Sequence, residues 1–266
     1  MKEFSYARAK SLDEATAKFK SADEARYLSG GQTLIPVLKQ RLASPTDLID
    51  LAGVPGLDGI TATTQSISIG AMTTHATVAA HAGILSAIPA LAELAGGIGD
   101  PHVRNRGTIG GSLANNDPAA DYPAAVLGLG AIVRTSKRQI AGDDFFAGLF
   151  TTALEDGEIL TGVEFPVPRR AGYVKFPHPA SRFCLVAVMV SEGPQGVRVA
   201  VTGAGQGGVF RVAAMEAALA KTFTPAALDG IKVPADNLLS DIHAQADYRA
   251  HLIGVLAKRA VAKAIG

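Results

Sequence analysis

Arg104-Asn105-Arg106-Gly107-Thr108-Ile109-Gly110-Gly111-Ser112 is the stretch on which the reading of this chain turns. Glycine has no Cβ, so it lets the backbone turn tightly and lets a partner approach closely. Consecutive amide N–H groups on such a turn form a concave nest suited to a phosphate. Thr108 and Ser112 add hydroxyl donors, and Asn115, Asn116, Asp117 and Asp121 follow. An acid just beyond a phosphate nest can accept from a ribose hydroxyl, so the stretch reads as a nucleotide site.

A second glycine pair lies upstream in Ser29-Gly30-Gly31-Gln32-Thr33. Ala25 to Leu28 before it reads as a short strand. Leu34 to Leu42 after it reads as a helix, with Pro36 tolerated in the first turn. Strand, glycine turn and helix start together suit an anion. There is no Gly-Lys-[Ser/Thr], so this is not a P-loop. Two hydroxyl-flanked glycine pairs, each beside a helix start, match the two phosphates of a pyrophosphate, one nest for each.

The remaining punctuation places these motifs. Ser11 to Lys20 reads as a helix with Glu14 completing a capping box on Ser11. With the strand Asp47 to Leu51 this makes a βαβ pattern and a small parallel sheet. Ser66 to Ala71 alternates like a half-exposed strand, and Thr77 to Ala82, Ile88 to Ala95 and Tyr122 to Leu129 read as helices. Ala131 to Thr135 and Ile159 to Phe165 are strands, with a short helix over Asp143 to Phe150 between them. Pro166-Val167-Pro168 to Gly172 reads as a boundary. Beyond it, Phe183 to Ser191 and Gly196 to Gly203 form an antiparallel pair, and Ala213 to Lys221 and Tyr248 to Ala264 are helices.

Several other features are read as bland. Gly203-Ala204-Gly205-Gln206-Gly207-Gly208 matches G-x-G-x-x-G, but a strand-like run, Val209 to Val212, follows where a helix should open. It reads as a turn. Arg104 and Arg106 either lend charge to a pyrophosphate or tie loops to carboxylates. Asp117, before Pro118, is a turn residue; Asp121 either meets a ribose or caps the helix at Tyr122. The histidines have no metal-ligand spacing, and most are expected on the surface or in loops. No catalytic acid, base or nucleophile is assigned, and no metal ligand.

Bulk properties bound the function. The 266 residues suggest about two domains. A net charge of +1 calls for neither nucleic acid nor an anionic membrane. There is no signal-peptide core, and the longest apolar runs fall short of the ~18 residues of a membrane helix; the expected location is the cytoplasm. The single cysteine, Cys184, excludes an internal disulfide and any iron–sulfur cluster held by this chain alone.

Taken together, Ser29 to Leu34, Thr108 to Ser112 and Asn115 to Asp121 resemble the FAD-binding medium subunit of the molybdenum hydroxylases. Aerobic carbon monoxide dehydrogenase and bacterial xanthine dehydrogenase are members of that family. The likeness extends through Asp100 to Arg106, Glu158 to Thr161 and Tyr248 to Leu252. Lys175 to Phe183 is most similar to the carbon monoxide dehydrogenase type.

The resemblance implies an α+β fold: two α/β FAD-binding subdomains at 1–56 and 57–168, of the vanillyl-alcohol oxidase/CO dehydrogenase flavoprotein type, then a C-terminal antiparallel sheet with helices at 172–266. It implies that Ser29, Gly30, Gly31, Gln32, Thr33 and Leu34, with Thr108, Ile109, Gly110, Gly111 and Ser112, wrap the FAD pyrophosphate. Asn115 and Asp121 would meet the phosphate–ribose region, and Ile98, Leu160 and Lys175 would lie nearer the rings. Partners are implied too: a small subunit with two two-iron two-sulfur clusters and a large molybdopterin subunit, with trimers pairing into a hexamer. Electrons would pass from molybdenum through the clusters to FAD and on to an acceptor.

Ser29 and Thr33 stand where alanine and serine are commoner, and Asn115-Asn116 where a histidine-containing pair is usual. No NAD-binding segment is recognised. Two rival readings are a self-contained FAD oxidoreductase of the same fold, like the cell-wall precursor reductases, and a non-catalytic nucleotide-binding subunit. The first needs its own proton donor, and none is evident in the sequence.

Overall fold

The computed structural model describes residues 1–266. Its first layer is a parallel sheet built from β1 (Ser5–Arg8), α1 (Leu12–Ser21), β2 (Ala25–Leu28), α2 (Leu34–Lys39) and β3 (Asp47–Asp50). β3 lies between β1 and β2 and pairs in parallel with both. Ser11 caps α1 by accepting from the Glu14 amide at 3.1 Å, while the Glu14 carboxylate accepts from the Lys10 amide rather than from Ser11. Ala9, Ala15, Ile49 and Leu51 form its small buried core.

The second unit follows in order: β4 (Ile60–Ala62), β5 (Ser66–Gly70), α3 (His75–Ala80), α4 (Ala82–Ala87), α5 (Pro89–Gly96), α6 (Pro101–Arg104), α7 (Ile109–Asn115) and α8 (Tyr122–Leu129). Then come β6 (Ile132–Thr135), β7 (Gln139–Ala141), α9 (Gly142–Phe145), β8 (Phe146–Gly148), β9 (Thr151–Thr152) and β10 (Leu160–Pro166). Its five-stranded sheet has the order β4-β5-β10-β6-β7 and every pairing is antiparallel. The helix expected over Asp143 to Phe150 is one turn only, followed by the β8–β9 hairpin. α8 has every residue buried, so apolar side chains all round place it inside the main 29-residue core.

The third unit is β11 (Arg170–Pro177), β12 (Cys184–Gly193), β13 (Gly196–Thr202), β14 (Phe210–Arg211), α10 (Ala213–Lys221) and α11 (Ala246–Ile265). The four strands pair antiparallel in chain order. Gly203 to Gly208 is the turn between β13 and β14, as its sequence context indicated. α11 lays Leu252, Ile253, Leu256 and Val261 into the core behind this sheet. A Cβ on Gly172 would sit 2.0 Å from the Ala260 carbonyl oxygen, so strand and helix meet where only glycine fits. Arg249 is buried, its guanidinium bonded to Leu185 O at 2.6 Å, Gly203 O at 2.8 Å and the Asp241 carboxylate at 2.7 Å.

Candidate functional site

A cleft of about 770 Å³ is lined by residues of all three units, including both glycine segments. β2 ends at Leu28, the chain turns through Gly31 with φ of +72°, and α2 begins at Leu34. From Ser29 to Leu34 no amide N–H meets an acceptor within the chain; the first that does is Ile35, which donates to Gly31 O at 3.1 Å. Six consecutive open amides on a turn with a left-handed glycine make an anion nest. These residues are half-buried or exposed on the cleft wall, so their amides are open to a ligand or to solvent.

The second glycine segment behaves differently. Thr108 caps α7, accepting from the Gly111 amide at 3.0 Å, and Ile109 and Gly110 donate to Thr73 O and Ala71 O at 3.1 and 2.9 Å. Residues 108–112 therefore form a capped helix start, not the second nest expected from the sequence. A glycine in each segment serves close packing: a Cβ on Gly110 would lie 2.5 Å from the Ala71 Cβ, and one on Gly30 would lie 2.0 Å from Arg106 O. The two segments are in contact. Ser29 Oγ and Thr108 Oγ1 are 2.6 Å apart, and Ser29 also donates to Met72 Sδ at 3.0 Å.

Of the residues singled out from the sequence, Ser29 to Leu34, Ile98, Thr108, Gly110, Gly111, Ser112, Asn115, Asp121 and Leu160 line the cleft. Ile109 and Lys175 do not: Ile109 is fully buried in the main core, and Lys175 stands behind Asp121. Asp121 makes no cap to α8. Its carboxylate accepts from Tyr173 Oη at 2.5 Å and from Lys175 Nζ at 2.9 and 3.0 Å. Burial pushes this carboxyl above its ordinary range, while Lys175 and Tyr173 pull it the other way. Asp117 is the turn residue expected, accepting from the Ala119 amide at 2.8 Å. Arg104 ties a loop, but to the carbonyls of Ile98 and Gly99 rather than to a carboxylate.

The cleft also holds residues to which the sequence assigned no site role. His75 is buried, outside the majority expected at the surface, and desolvation with the nearby Arg104 charge lowers its imidazole to about 4. Glu158 lines the cleft with its side chain buried. Burial alone would raise its carboxyl, but Arg138, the Glu155 amide and the Thr135 hydroxyl bring it down to about 2. Arg26, Ser181, Arg182 and Phe183 complete the walls. No three His, Cys, Asp or Glu side chains converge in a way that could hold a metal ion.

The family model described as the FAD binding domain in molybdopterin dehydrogenase matches residues 2–168. The chain belongs to this family. It is a flavoprotein of the molybdenum-containing oxidoreductases of carbon monoxide dehydrogenase and xanthine dehydrogenase type, and its cofactor is FAD. The nicotine 6-hydroxylase medium subunit of Paenarthrobacter nicotinovorans is 34% identical over 273 residues, which cover 97% of this chain and 96% of that protein. The carbon monoxide dehydrogenase medium chain of Afipia carboxidovorans is 33% identical over 281 residues, covering 98% and 96%. Among solved structures, reconstituted CO dehydrogenase from Oligotropha carboxidovorans superposes with a TM-score of 0.89 at 32% identity, covering 99% of this chain and 98% of that one. Quinoline 2-oxidoreductase from Pseudomonas putida 86 gives 0.87 at 30%, with coverage of 99% and 98%.

The FAD-binding domain's own residues fit the cofactor. The open amides of 29–34 suit a diphosphate, the adjoining hydroxyls add donors, and Ile98, Leu154, Ile159 and Leu160 give the cleft an apolar wall for a flat ring.

Proposed function

We propose that this chain is the electron-transfer subunit of a molybdenum hydroxylase. This chain would hold FAD, which would supply the redox chemistry linking the iron–sulfur clusters of a small partner subunit to an external acceptor. The molybdopterin cofactor belongs to a large partner subunit, and two such heterotrimers pair into a hexamer in the cytoplasm. The observation that carries this reading is the run of open amides at Ser29 to Leu34 in a cleft shared with Thr108 to Ser112.

Each residue then has a task. Ser29, Gly30, Gly31, Gln32, Thr33 and Leu34 donate to the diphosphate through their backbone. Thr108, Gly110, Gly111 and Ser112 form the facing wall, and Ile109 anchors it in the core. Asn115 and Asp121 meet the phosphate–ribose region, and Ile98 and Leu160 bound the rings. The chain divides into parts at 1–56, 57–168 and 172–266, a reading supported by the three larger sheets, one to each part. Two titratable groups at the cleft, His75 and Glu158, are not arranged as the proton donor a self-contained reductase needs. His75 is held neutral and Glu158 is engaged by Arg138, so neither is poised as a proton donor near neutral pH.

The test is to purify the native complex and assay flavin, iron and molybdenum together. All three in stoichiometric amounts support the subunit reading. Flavin with no metal supports the stand-alone oxidoreductase, and absence of flavin leaves only a nucleotide-binding role.

A further inference from the structure

α5 ends at Gly96 with no cation in its own last turn. A helix C-terminus carries partial negative charge on its unpaired carbonyls. Here the cations come from elsewhere in the fold. Lys175 Nζ, from β11, donates to Gly97 O at 3.2 Å, and Arg104 Nη1, from α6, donates to Ile98 O at 3.1 Å and Gly99 O at 3.0 Å. Two side chains thus hold three successive carbonyls.

Lys175 has no donor free for the cleft. An ammonium has three hydrogens, and the acceptors around Lys175 Nζ are Gly97 O and the two Asp121 carboxylate oxygens. Neither Lys175 nor Arg104 lines the cleft, whereas Ile98, Gly99 and Asp121 do. The segment they hold contains Gly96, Gly97 and Gly99, the last with φ of +51°, and a glycine-rich segment has the most backbone freedom to lose. Bonds to a charged donor are about twice as strong as neutral ones.

We propose that Lys175 and Arg104 are positioning residues for the flavin site. Together they clamp the Gly97–Gly99 wall so that Ile98 is held against the cofactor's ring system, and Lys175 acts through Gly97 and Asp121 rather than on the rings. This rests on the FAD reading above. It assigns to Arg104, and reassigns to Lys175, a role at one remove from the cofactor.

The experiment compares Lys175→Met, Arg104→Met and Lys175→Arg in the native complex by hydrogen exchange and by the flavin visible spectrum. The Gly97 and Ile98 amides report on the wall, because they bond back to α5 at Glu93, Leu94 and Ala95. In both methionine variants these amides are expected to exchange at least tenfold faster. The flavin bands should shift and lose vibrational structure while FAD stays near one per chain, and Lys175→Arg should restore both signals. Wild-type exchange of these amides in either methionine variant overturns the proposal. So does loss of FAD from Lys175→Met with the wall unchanged, which would show direct contact between Lys175 and the cofactor. Arg104→Met keeps the test decisive should the Lys175→Met chain fail to fold. A wild-type complex without flavin bands overturns the cofactor reading itself, before any variant is compared.

Discussion

The hydroxyls of Ser29 and Thr108, 79 positions apart in the chain, lie 2.6 Å from each other at the junction of the two glycine segments. Thr108 Oγ1 also accepts from the Gly111 amide, and Ser29 Oγ donates onward to Met72 Sδ. The hydroxyl of Thr108 therefore donates to Ser29, completing a relay from α7 to Met72. Thr108→Val breaks the cap and the junction together, and a lost helix cap costs about 1–2 kcal/mol. Urea unfolding should show a loss of that order with the m-value unchanged.

Gly30 tolerates no side chain, since a Cβ would meet Arg106 O at 2.0 Å. Gly30→Val must push the two segments apart, and overpacking of this kind costs about 1–3 kcal/mol or more. The expected outcome is a complex that assembles with little or no flavin, read from its 350–500 nm absorption. Flavin retained at the wild-type level would rule out the close junction.

Glu158 sets an acid limit on stability. Its folded carboxyl titrates at about 2 against 4.5 when unperturbed, so its contribution is fully present above about pH 4.5 and is lost as pH falls toward 2. The shift corresponds to roughly 3 kcal/mol. Glu158→Gln should therefore be less stable than wild type at pH 7 by up to that amount. The gap should narrow steadily below pH 4.5 in denaturant titrations.

His75 gives a second, separate pH window. Its ring titrates at about 4 in the folded chain and near 6.5 when exposed, so between those values the unfolded chain binds the proton and the native state loses ground. NMR titration of the His75 ring should show a midpoint near 4. His75→Phe should remove up to roughly 3 kcal/mol of the acid-side loss between pH 6.5 and 4.

Much of the fold was legible because local signals and packing agree. α8 runs from Tyr122 to Leu129 as the apolar pattern indicated, and β2 and α10 match residue for residue. The extent of α7 was hidden because Ile109 to Asn115 contains two glycines, each about 1 kcal/mol worse than alanine in a helix. Close approach to Ala71 selects those glycines, and the Thr108 cap and core burial of Ile109 and Leu113 override their propensity. β11 was hidden by Gly172, whose reason is the Ala260 carbonyl on a helix 88 positions later. The ties from Lys175 to Asp121 and from Arg104 to Ile98 and Gly99 depend on tertiary geometry, and composition carries no trace of them.

The most direct test is the structure of the native complex with FAD bound, read at one place. The diphosphate oxygens should lie about 2.7–3.2 Å from backbone nitrogens within Ser29 to Leu34, with the ring system against Ile98 and Leu160. A diphosphate seated elsewhere, with those six amides meeting only solvent, would contradict the assignment of the nest.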